Sequence, residues 1–235
     1  MKYVCATWVA HDLSLRNREE RVELVTMWLN YFENHVDVSN NLLVIDEKWM
    51  YLKTIGSKAG NKSWITAHQA RPRITRRQIT DQKCLLIMAL SFSGKCCVDI
   101  LDPFKTMDSN RYIDFLKRVN YNFSRHLNPL PFQNMVLIMD NARPHVSRET
   151  QAFIAKKQIN ILRQPAYSPD FNLLDRFAFN DLERGRKNIN FDNKNELLSF
   201  VQSHVKTFKF DRMQRQFQYL KNDLQAIINA QGNYL

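Results

Sequence analysis

The run Met135-Val136-Leu137-Ile138-Met139-Asp140 consists of apolar residues that end in a carboxylate. A short continuous apolar run of this kind predicts a strand that is buried on both faces. Leu42-Leu43-Val44-Ile45-Asp46 repeats the pattern much earlier in the chain. A carboxylate beside such a strand costs free energy unless it is paired, hydrogen-bonded or bound to a cation. Both aspartates are therefore candidates for function, although a capping or turn role explains either one alone equally well.

The segments around these two runs alternate between helical and strand patterns. Apolar residues at three- and four-residue spacing predict helices over 14–34, 108–127, 147–157, 173–187, 194–207 and 211–229. Strands are predicted over 41–52, 84–90, 96–101, 135–139 and 159–162, and the turn at 91–95 makes a hairpin of the second and third. This order predicts an α/β fold with an antiparallel part followed by crossover units.

The chain has the length of one large domain with a substantial core. It holds 235 residues with 5 glycines and 7 prolines, too few for a linker protein, and has no fixed repeat. Its longest apolar stretch, Leu85–Leu90, is far shorter than the ~20 residues of a membrane helix. Met1–Ala10 lacks the apolar run of a secretory signal. The sequence thus predicts no membrane partner, and its 4 cysteines lack the C-x2-C spacing of a zinc site.

The charge of the chain is strongly positive. Lysine and arginine (34) outnumber aspartate and glutamate (23), which gives a formal net charge of +11. Such a balance predicts attraction to a polyanion, most commonly nucleic acid. Most of the excess lies between Lys53 and Lys83, a segment interpreted either as a solvated loop or as a phosphate-tracking surface. The candidate phosphate contacts in it are Lys53, Lys58, Lys62, Arg71, Arg73, Arg76 and Arg77.

A third carboxylate, Asp175, lies early in a predicted helix, where the preceding loop can bring it towards the strand ends. Three carboxylates without soft ligands suit hard divalent ions such as Mg²⁺ or Mn²⁺. In a basic protein this set predicts two-metal phosphodiester chemistry, in which one ion activates the attacking oxygen and the other stabilises the leaving oxygen. Asp46, Asp140 and Asp175 are therefore the predicted catalytic residues and metal ligands.

Three blocks of sequence carry a family resemblance. They are Val44-Ile45-Asp46-Glu47-Lys48-Trp49, Met139-Asp140-Asn141-Ala142-Arg143-Pro144-His145, and Tyr167-Ser168-Pro169-Asp170-Phe171 followed by Leu174-Asp175. Together they resemble the DDE/D transposases of the mariner/Tc1 superfamily, specifically the mariner branch, which places 34 residues between its second and third acids. Near the start, Trp8-Val9-Ala10-His11-Asp12-Leu13 is similar to the W-V-P-H-x-L linker motif of that family.

The resemblance implies an RNase H-like fold, a mixed five-stranded sheet flanked by helices. It implies a linker and N-terminal helix over 1–38 and a catalytic domain over 39–235. It also implies metal-dependent cleavage at transposon ends, followed by attack of the freed 3′-hydroxyl on target DNA at TA dinucleotides. The expected partners are DNA and a second copy of the chain in a homodimer, in the nucleus, with no small-molecule substrate.

The resemblance also assigns roles to single residues. Asn141 and His145 are expected beside the metal ligands, with a structural or DNA-contacting role for His145. Glu47 and Asp170 do not fit the spacing of the catalytic acids. DNA contacts are expected at Arg143, His145, Tyr167, Ser168 and Pro169, and dimer contacts at the linker residues Trp8, Val9, His11 and Leu13.

Two features depart from the family pattern. Mariner proteins normally carry two helix-turn-helix modules before the linker, whereas this sequence begins at the linker, so we expect salt-sensitive DNA binding without base readout. Ala10 replaces the linker proline, and 171–174 lacks the proline usual before the third acid, which removes a backbone constraint. The alternative hypothesis is thus a catalytically silent DNA-binding or dimerisation protein derived from a transposase. An unrelated RNase H-like nuclease is the third.

Overall fold

The computed structural model of the protein describes residues 11–35, 41–53, 66, 82–124, 135–187 and 189–235. In these ranges the chain forms a five-stranded sheet with helices on both faces. The strands are β1 (Leu42–Tyr51), β2 (Lys83–Ser91), β3 (Cys96–Ile100), β4 (Val136–Met139) and β5 (Asn160–Arg163). The α-helices are α1 (Leu15–Asn34), α2 (Ser109–Ser124), α3 (Arg143–Val146), α4 (Arg148–Lys157), α5 (Phe179–Gly185), α6 (Lys194–Val205) and α7 (Phe210–Asn229).

The sheet has the strand order β3-β2-β1-β4-β5. The first three strands pair antiparallel, whereas β4 pairs parallel with both β1 and β5. Helix α2 lies in the crossover from β3 to β4, and α4 lies in the crossover from β4 to β5. The predicted mixed five-stranded sheet flanked by helices, with the RNase H-like arrangement, is confirmed.

The register of the parallel pair brings two of the candidate acids together. Val44 on β1 lies opposite Ile138 on β4. Two residues further along each chain come Asp46 and Asp140, which are therefore level on neighbouring strands. Because side chains alternate between the two faces of a sheet, both carboxylates point to the face that Val44 and Ile138 occupy.

Each face of the sheet has its own hydrophobic core. Val44 and Ile138 belong to the larger core, which α1, α5, α6 and α7 cover. Ile45 and Leu137 belong to the smaller core, which α2 and α4 cover. The sheet is thus buried on both faces, in agreement with the apolar runs of β1 and β4.

Helix α1 is fixed at its start by a capping box and along its length by the larger core. The Ser14 hydroxyl accepts the Asn17 backbone N–H, and the Asn17 side chain accepts the Ser14 backbone N–H. Trp28 is fully buried, and its indole N–H donates to the Arg163 carbonyl at 3.1 Å. The predicted division of the chain at residue 38 stays a prediction.

The predicted helices and strands are found to within a few residues in the described ranges. In the described ranges two short elements were not predicted: α3 and a 3₁₀ turn at Pro169–Phe171. Each is a single turn, too short for hydrophobic periodicity to detect. The predicted helix over 173–187 is found as a π-helical turn at Leu174–Ala178 that runs into α5. Among the described residues, no helix has the length and apolar character needed to span a membrane.

We predict that Gly94→Ala lowers the free energy of unfolding by about 2 kcal/mol or more. Gly94 closes the β2–β3 turn at φ +89°, and an added Cβ would lie 2.2 Å from the Phe208 carbonyl oxygen. Urea denaturation measures the loss. Lys95→Ala in the same turn is the matched control and should change stability by no more than about 0.5 kcal/mol. Equal stability of the two variants would contradict the contact between this turn and Phe208.

Candidate active site

Three aspartates from separate elements line one cavity of about 470 Å³. Asp46 lies in β1, Asp140 directly follows β4, and Asp175 lies in the π-helical turn. The other residues that line the cavity are Glu47, Asn141, Ala142, Gln164, Pro165, Ala166, Tyr167, Ser168 and Pro169. The fold thus gathers the three predicted catalytic acids, with the predicted loop residues around them.

Asp46 is held by two hydrogen bonds at the floor of the cavity. The Glu47 backbone N–H donates to Asp46 Oδ1 at 2.6 Å, and the Asn172 side-chain amide donates to Oδ2 at 2.8 Å. Burial, and then the charge of Asp175, raise the pKa of Asp46 to about 8. The Asp46 carboxyl is therefore largely protonated at neutral pH in the absence of a cation.

Asp175 is the partner of that protonated carboxyl. Burial raises the pKa of Asp175 above its ordinary value, although the nearby Lys48 ammonium and a hydrogen bond with Asp46 both act to lower it. The raised pKa values of both groups favour a state in which the pair holds one proton in the absence of a cation. A bound divalent ion would replace the proton and stabilise both groups as carboxylates.

Asp140 is kept ionised by a buried histidine. His145 Nδ1 lies 2.7 Å from Asp140 Oδ1, and His145 Nε2 lies 3.1 Å from Glu47 Oε1. Burial of the His145 ring acts to lower its pKa, but these two hydrogen bonds and charges outweigh it and raise the pKa to about 10. Burial likewise acts to raise the pKa of Asp140, yet the bonds from His145 and from the Ala142 N–H lower it overall.

The far side of this histidine is apolar. The Tyr112 ring packs against the His145 ring with centroids 4.1 Å apart, and the Tyr112 hydroxyl donates to the Met139 sulfur at 3.2 Å. Burial, together with the charge of Glu47, raises the pKa of Tyr112 well above its ordinary value, so the phenol stays neutral. The imidazolium is therefore shielded from solvent by Tyr112, while its charge is balanced by the two carboxylates that it bridges.

The predicted DNA-contacting residues divide by exposure. Lys53, Arg143 and Tyr167 are exposed, and Pro169 is partly exposed. His145 is fully buried and its ring bridges Asp140 and Glu47, which agrees with the structural one of its two expected roles, while its contact with DNA stays a prediction. Ser168 lines the cavity but is 2% exposed, with its hydroxyl engaged inside the protein. The contacts predicted at Lys58, Lys62, Arg71, Arg73, Arg76 and Arg77 lie outside the described residues.

The predicted dimer linker is described only in part. Trp8 and Val9 lie outside the described residues. Leu13 is partly buried, whereas His11 is exposed and stacks on Tyr167 with ring centroids 4.2 Å apart. Contact with a second chain at this linker stays a prediction.

Sequence reasoning missed several residues that shape the cavity. Asn172 holds Asp46, and Glu47, which the spacing argument set aside, accepts the second bond from His145. The Gln164 amide donates to the Ser168 carbonyl at 2.8 Å, and the Gln164 carbonyl accepts at 3.2 Å from Asn141, which was expected beside the metal ligands and lines the cavity. No local pattern identifies these polar side chains, because their partners are distant in sequence or are backbone atoms.

The residues of the cavity fit a hard divalent metal. All three aspartates offer oxygen donors, and burial first, with carboxylate repulsion as a smaller cause, raises the pKa values of Asp46 and Asp175, a cost that a bound cation would relieve. Within the part of the chain that the structure describes, no three His, Cys, Asp or Glu side chains are arranged as a ready metal cage. The carboxylates form an open set, which suits Mg²⁺ because that ion keeps several waters and binds few carboxylates.

Comparison with known proteins gives a family and a set of relatives. A family model described as DDE superfamily endonuclease matches residues 41–198. The human histone-lysine N-methyltransferase SETMAR is 23% identical over 230 residues, which cover 97% of this chain and 33% of that protein. The mariner Mos1 transposase of Drosophila mauritiana is 23% identical over 194 residues, which cover 79% of this chain and 53% of that protein.

The fold has solved counterparts. The crystal structure of the mariner Mos1 paired end complex with Mg superposes with a TM-score of 0.86 at 21% identity, covering 100% of this chain and 68% of that one. The resemblance to mariner-type transposases that the sequence motifs indicated is confirmed by these matches. The chain spans a third of SETMAR and about half of the Mos1 transposase.

We predict that the protein becomes less stable as the pH rises from 6 to 8 in a chelator, and that Asp46→Asn removes much of this loss. In this window the folded Asp46 carboxyl holds its proton and the unfolded one does not, so unfolding is favoured as pH rises. The wild type should lose about 2 kcal/mol more than the variant. Urea denaturation at several pH values measures the free energy of unfolding of both proteins.

The control for this prediction is Asp114→Asn, which changes an exposed carboxylate on α2. Its pH dependence should match that of the wild type. Adding Mg²⁺ at pH 8 should stabilise the wild type and the Asp114 variant, but not Asp46→Asn to the same extent. Parallel pH curves for wild type and Asp46→Asn would contradict the proton shared by Asp46 and Asp175.

We also predict that His145 carries protons on both ring nitrogens at pH 8. Its pKa is raised to about 10, so the stability that its charge contributes is complete below pH 6.5 and is lost as the pH rises towards 10. Nitrogen-15 NMR of the imidazole rings measures the protonation state, with the exposed His35 as internal reference. A His145 ring that titrates near pH 6.5 would contradict the bridge between Asp140 and Glu47.

Proposed function

The chain belongs to the DDE superfamily of endonucleases, and on this basis we propose that it is the catalytic part of a mariner-type transposase. In this proposal it cleaves phosphodiester bonds at transposon ends and joins the freed 3′-hydroxyl to target DNA. The observation that carries the proposal is the meeting of Asp46, Asp140 and Asp175, from three separate elements, in one cavity.

The cofactor in this proposal is a pair of Mg²⁺ or Mn²⁺ ions held by the three aspartates. Bound metal would supply electrophilic stabilisation of phosphate oxygens and a more acidic water. The protein's own residues have separate tasks: Asn172 orients Asp46, and His145 keeps Asp140 ionised and correctly turned. The Mos1 counterpart was solved as a paired end complex with Mg, which supports the same class of cofactor and partner here.

DNA is the proposed substrate and partner. The net charge of +11 favours a polyanion, and the exposed Lys53 and Arg143 can contact phosphates. Tyr167, half-exposed at the wall of the cavity, can pack on a sugar or a base. We propose in addition a homodimer, insertion at TA dinucleotides and action in the nucleus, which are expectations from the mariner resemblance.

The decisive experiment is a nicking and strand-transfer assay. Supercoiled plasmid DNA and a short duplex with a free 3′-hydroxyl are incubated with the protein and Mn²⁺ or Mg²⁺. We expect nicked plasmid and joined products, and at least a 100-fold lower rate for Asp46→Ala, Asp140→Ala or Asp175→Ala, since each loses a metal ligand. The joints are sequenced to test for TA.

The matched control is Asp114→Ala, which removes an exposed carboxylate that does not line the cavity and should leave the rate unchanged. Cleavage that persists in Asp140→Ala would contradict the proposal. DNA binding without any metal-dependent cleavage would replace it with the silent DNA-binding protein, and preferential cleavage of RNA–DNA hybrids would indicate an unrelated RNase H-like nuclease.

A further inference from the structure

Arg21 is a buried charge that the active-site chemistry does not use. It lies on α1 and is 0% exposed. Its Nη1 donates to Ser168 Oγ at 2.7 Å and to Asp170 Oδ1 at 2.9 Å, and its Nη2 donates to Asp170 Oδ2 at 2.5 Å. Its Nε donates to the Gly232 carbonyl at 2.8 Å. One guanidinium thus joins α1 to the cavity loop, residues 167–170, and to the C-terminal segment, residues 232–234.

The surroundings of this guanidinium fix it in one orientation. Its carbon lies 4.8 Å from the centre of the Phe171 ring and 4.7 Å from the centre of the Tyr234 ring. A planar fork between two rings and a bidentate carboxylate has little rotational freedom. Because burying an ion pair seldom adds net stability, geometric precision is the better explanation for this arrangement.

The loop that Arg21 holds forms one wall of the cavity that contains the three aspartates. Tyr167, Ser168 and Pro169 line that cavity. Tyr167 has φ +55°, a left-handed conformation that a non-glycine residue adopts only when its surroundings impose it. The Tyr234 hydroxyl donates to the Tyr167 carbonyl at 2.5 Å, which ties this residue directly to the C-terminal segment.

The same loop leads directly to the residue that orients Asp46. Asp170 is followed by the buried Phe171 and Asn172, and the Asn172 amide donates to Asp46 Oδ2. A second arginine, Arg176, donates to the Asp170 carbonyl at 2.9 Å. A shift of the loop at Asp170 would therefore move Asn172, and with it the carboxyl of Asp46.

The C-terminal segment approaches α1 closely enough to require glycine. Gly232 has φ +81°, and an added Cβ would lie 2.3 Å from the Arg18 carbonyl oxygen. This close approach brings the Gly232 carbonyl within hydrogen-bond distance of Arg21 and places the Tyr234 ring over the guanidinium. The segment that follows α7 therefore packs on α1 and, through Arg21, is connected to the cavity loop.

We propose that Arg21 is a positioning residue, which fixes the loop 167–170 against the C-terminal segment 232–234 and thereby sets the orientation of Asn172 and Asp46. The inference deepens the proposed function, since the loop then presents DNA to the three aspartates. Asp170, which is not one of the catalytic acids, is in this proposal the loop's anchor to α1.

The test uses Arg21→Lys, Arg21→Met, Asp170→Asn and Tyr234→Phe. Arg16→Met is the matched control, because it removes the same charge from an exposed position of the same helix. Hydrogen–deuterium exchange of the Phe171 and Asn172 amides reports the loop, whose bonds to the Ser168 and Pro169 carbonyls close the 3₁₀ turn. The nicking assay gives kcat and KM, and thermal melting shows that each variant is folded.

We expect faster exchange at these two amides in all four variants and a loss of kcat of roughly 10- to 100-fold in Arg21→Lys and Asp170→Asn, with little change in KM. Arg21→Lys and Asp170→Asn decide the test even if Arg21→Met fails to fold. Exchange and kcat equal to those of Arg16→Met, in folded Arg21→Lys and Asp170→Asn, would overturn the inference. If the wild type does not cleave DNA, the proposed function fails, and the exchange measurement alone decides whether Arg21 positions the loop.

Discussion

The mutual repulsion of three carboxylates in a half-buried cavity is the constraint on which the rest of the site depends. The parallel register of β1 and β4 places Asp46 and Asp140 level on one face, and the π-helical turn adds Asp175. Placing like charges together in a poorly solvated site costs free energy unless protons or cations compensate for them. The hydrogen bonds around the cavity offset part of this free-energy cost.

The protein offsets the free-energy cost of these neighbouring carboxylates in two different ways. Asp140 has a permanent counter-charge, because the buried His145 is protonated and is itself held by Glu47. Asp46 and Asp175 have no hydrogen-bonded counter-charge of this kind, since the Lys48 ammonium acts on Asp175 only through its charge, and their raised pKa values favour a proton held by the pair. A cation can displace the proton of the Asp46–Asp175 pair, whereas the His145 imidazolium is a fixed part of the protein. The site thus combines one carboxylate whose lowered pKa favours the ionised form with two whose ionisation would be coupled to the arrival of a cation.

The sequence reveals the acids of this site more readily than the residues that control them. Asp46 and Asp140 follow from apolar runs that end in a carboxylate, and the strand register then forces them together. Asp175 follows from its place early in a predicted helix and from the mariner spacing, but helical periodicity does not show that this helix starts as a π-helical turn. Arg21 sits in a helix whose charged residues are expected to face solvent, so its burial depends on the distant partners Asp170 and Gly232. Local patterns carry no information about such contacts.

These distant contacts give α1 and the C-terminal segment a part in the site, although neither supplies an acid. Trp28 and Arg21 lie on the buried side of α1, one bonded to the end of β5 and the other to the loop that follows that strand. One helix therefore holds the loop between β5 and the π-helical turn at its start, through Arg163, and at its middle, through Ser168 and Asp170. A loop with this support needs less help from the proline that the family usually places before the third acid. Hydrogen bonds from Arg21, Gln164 and Arg176 to Ser168 and Asp170 hold the backbone directly before 171–174, where that proline is missing.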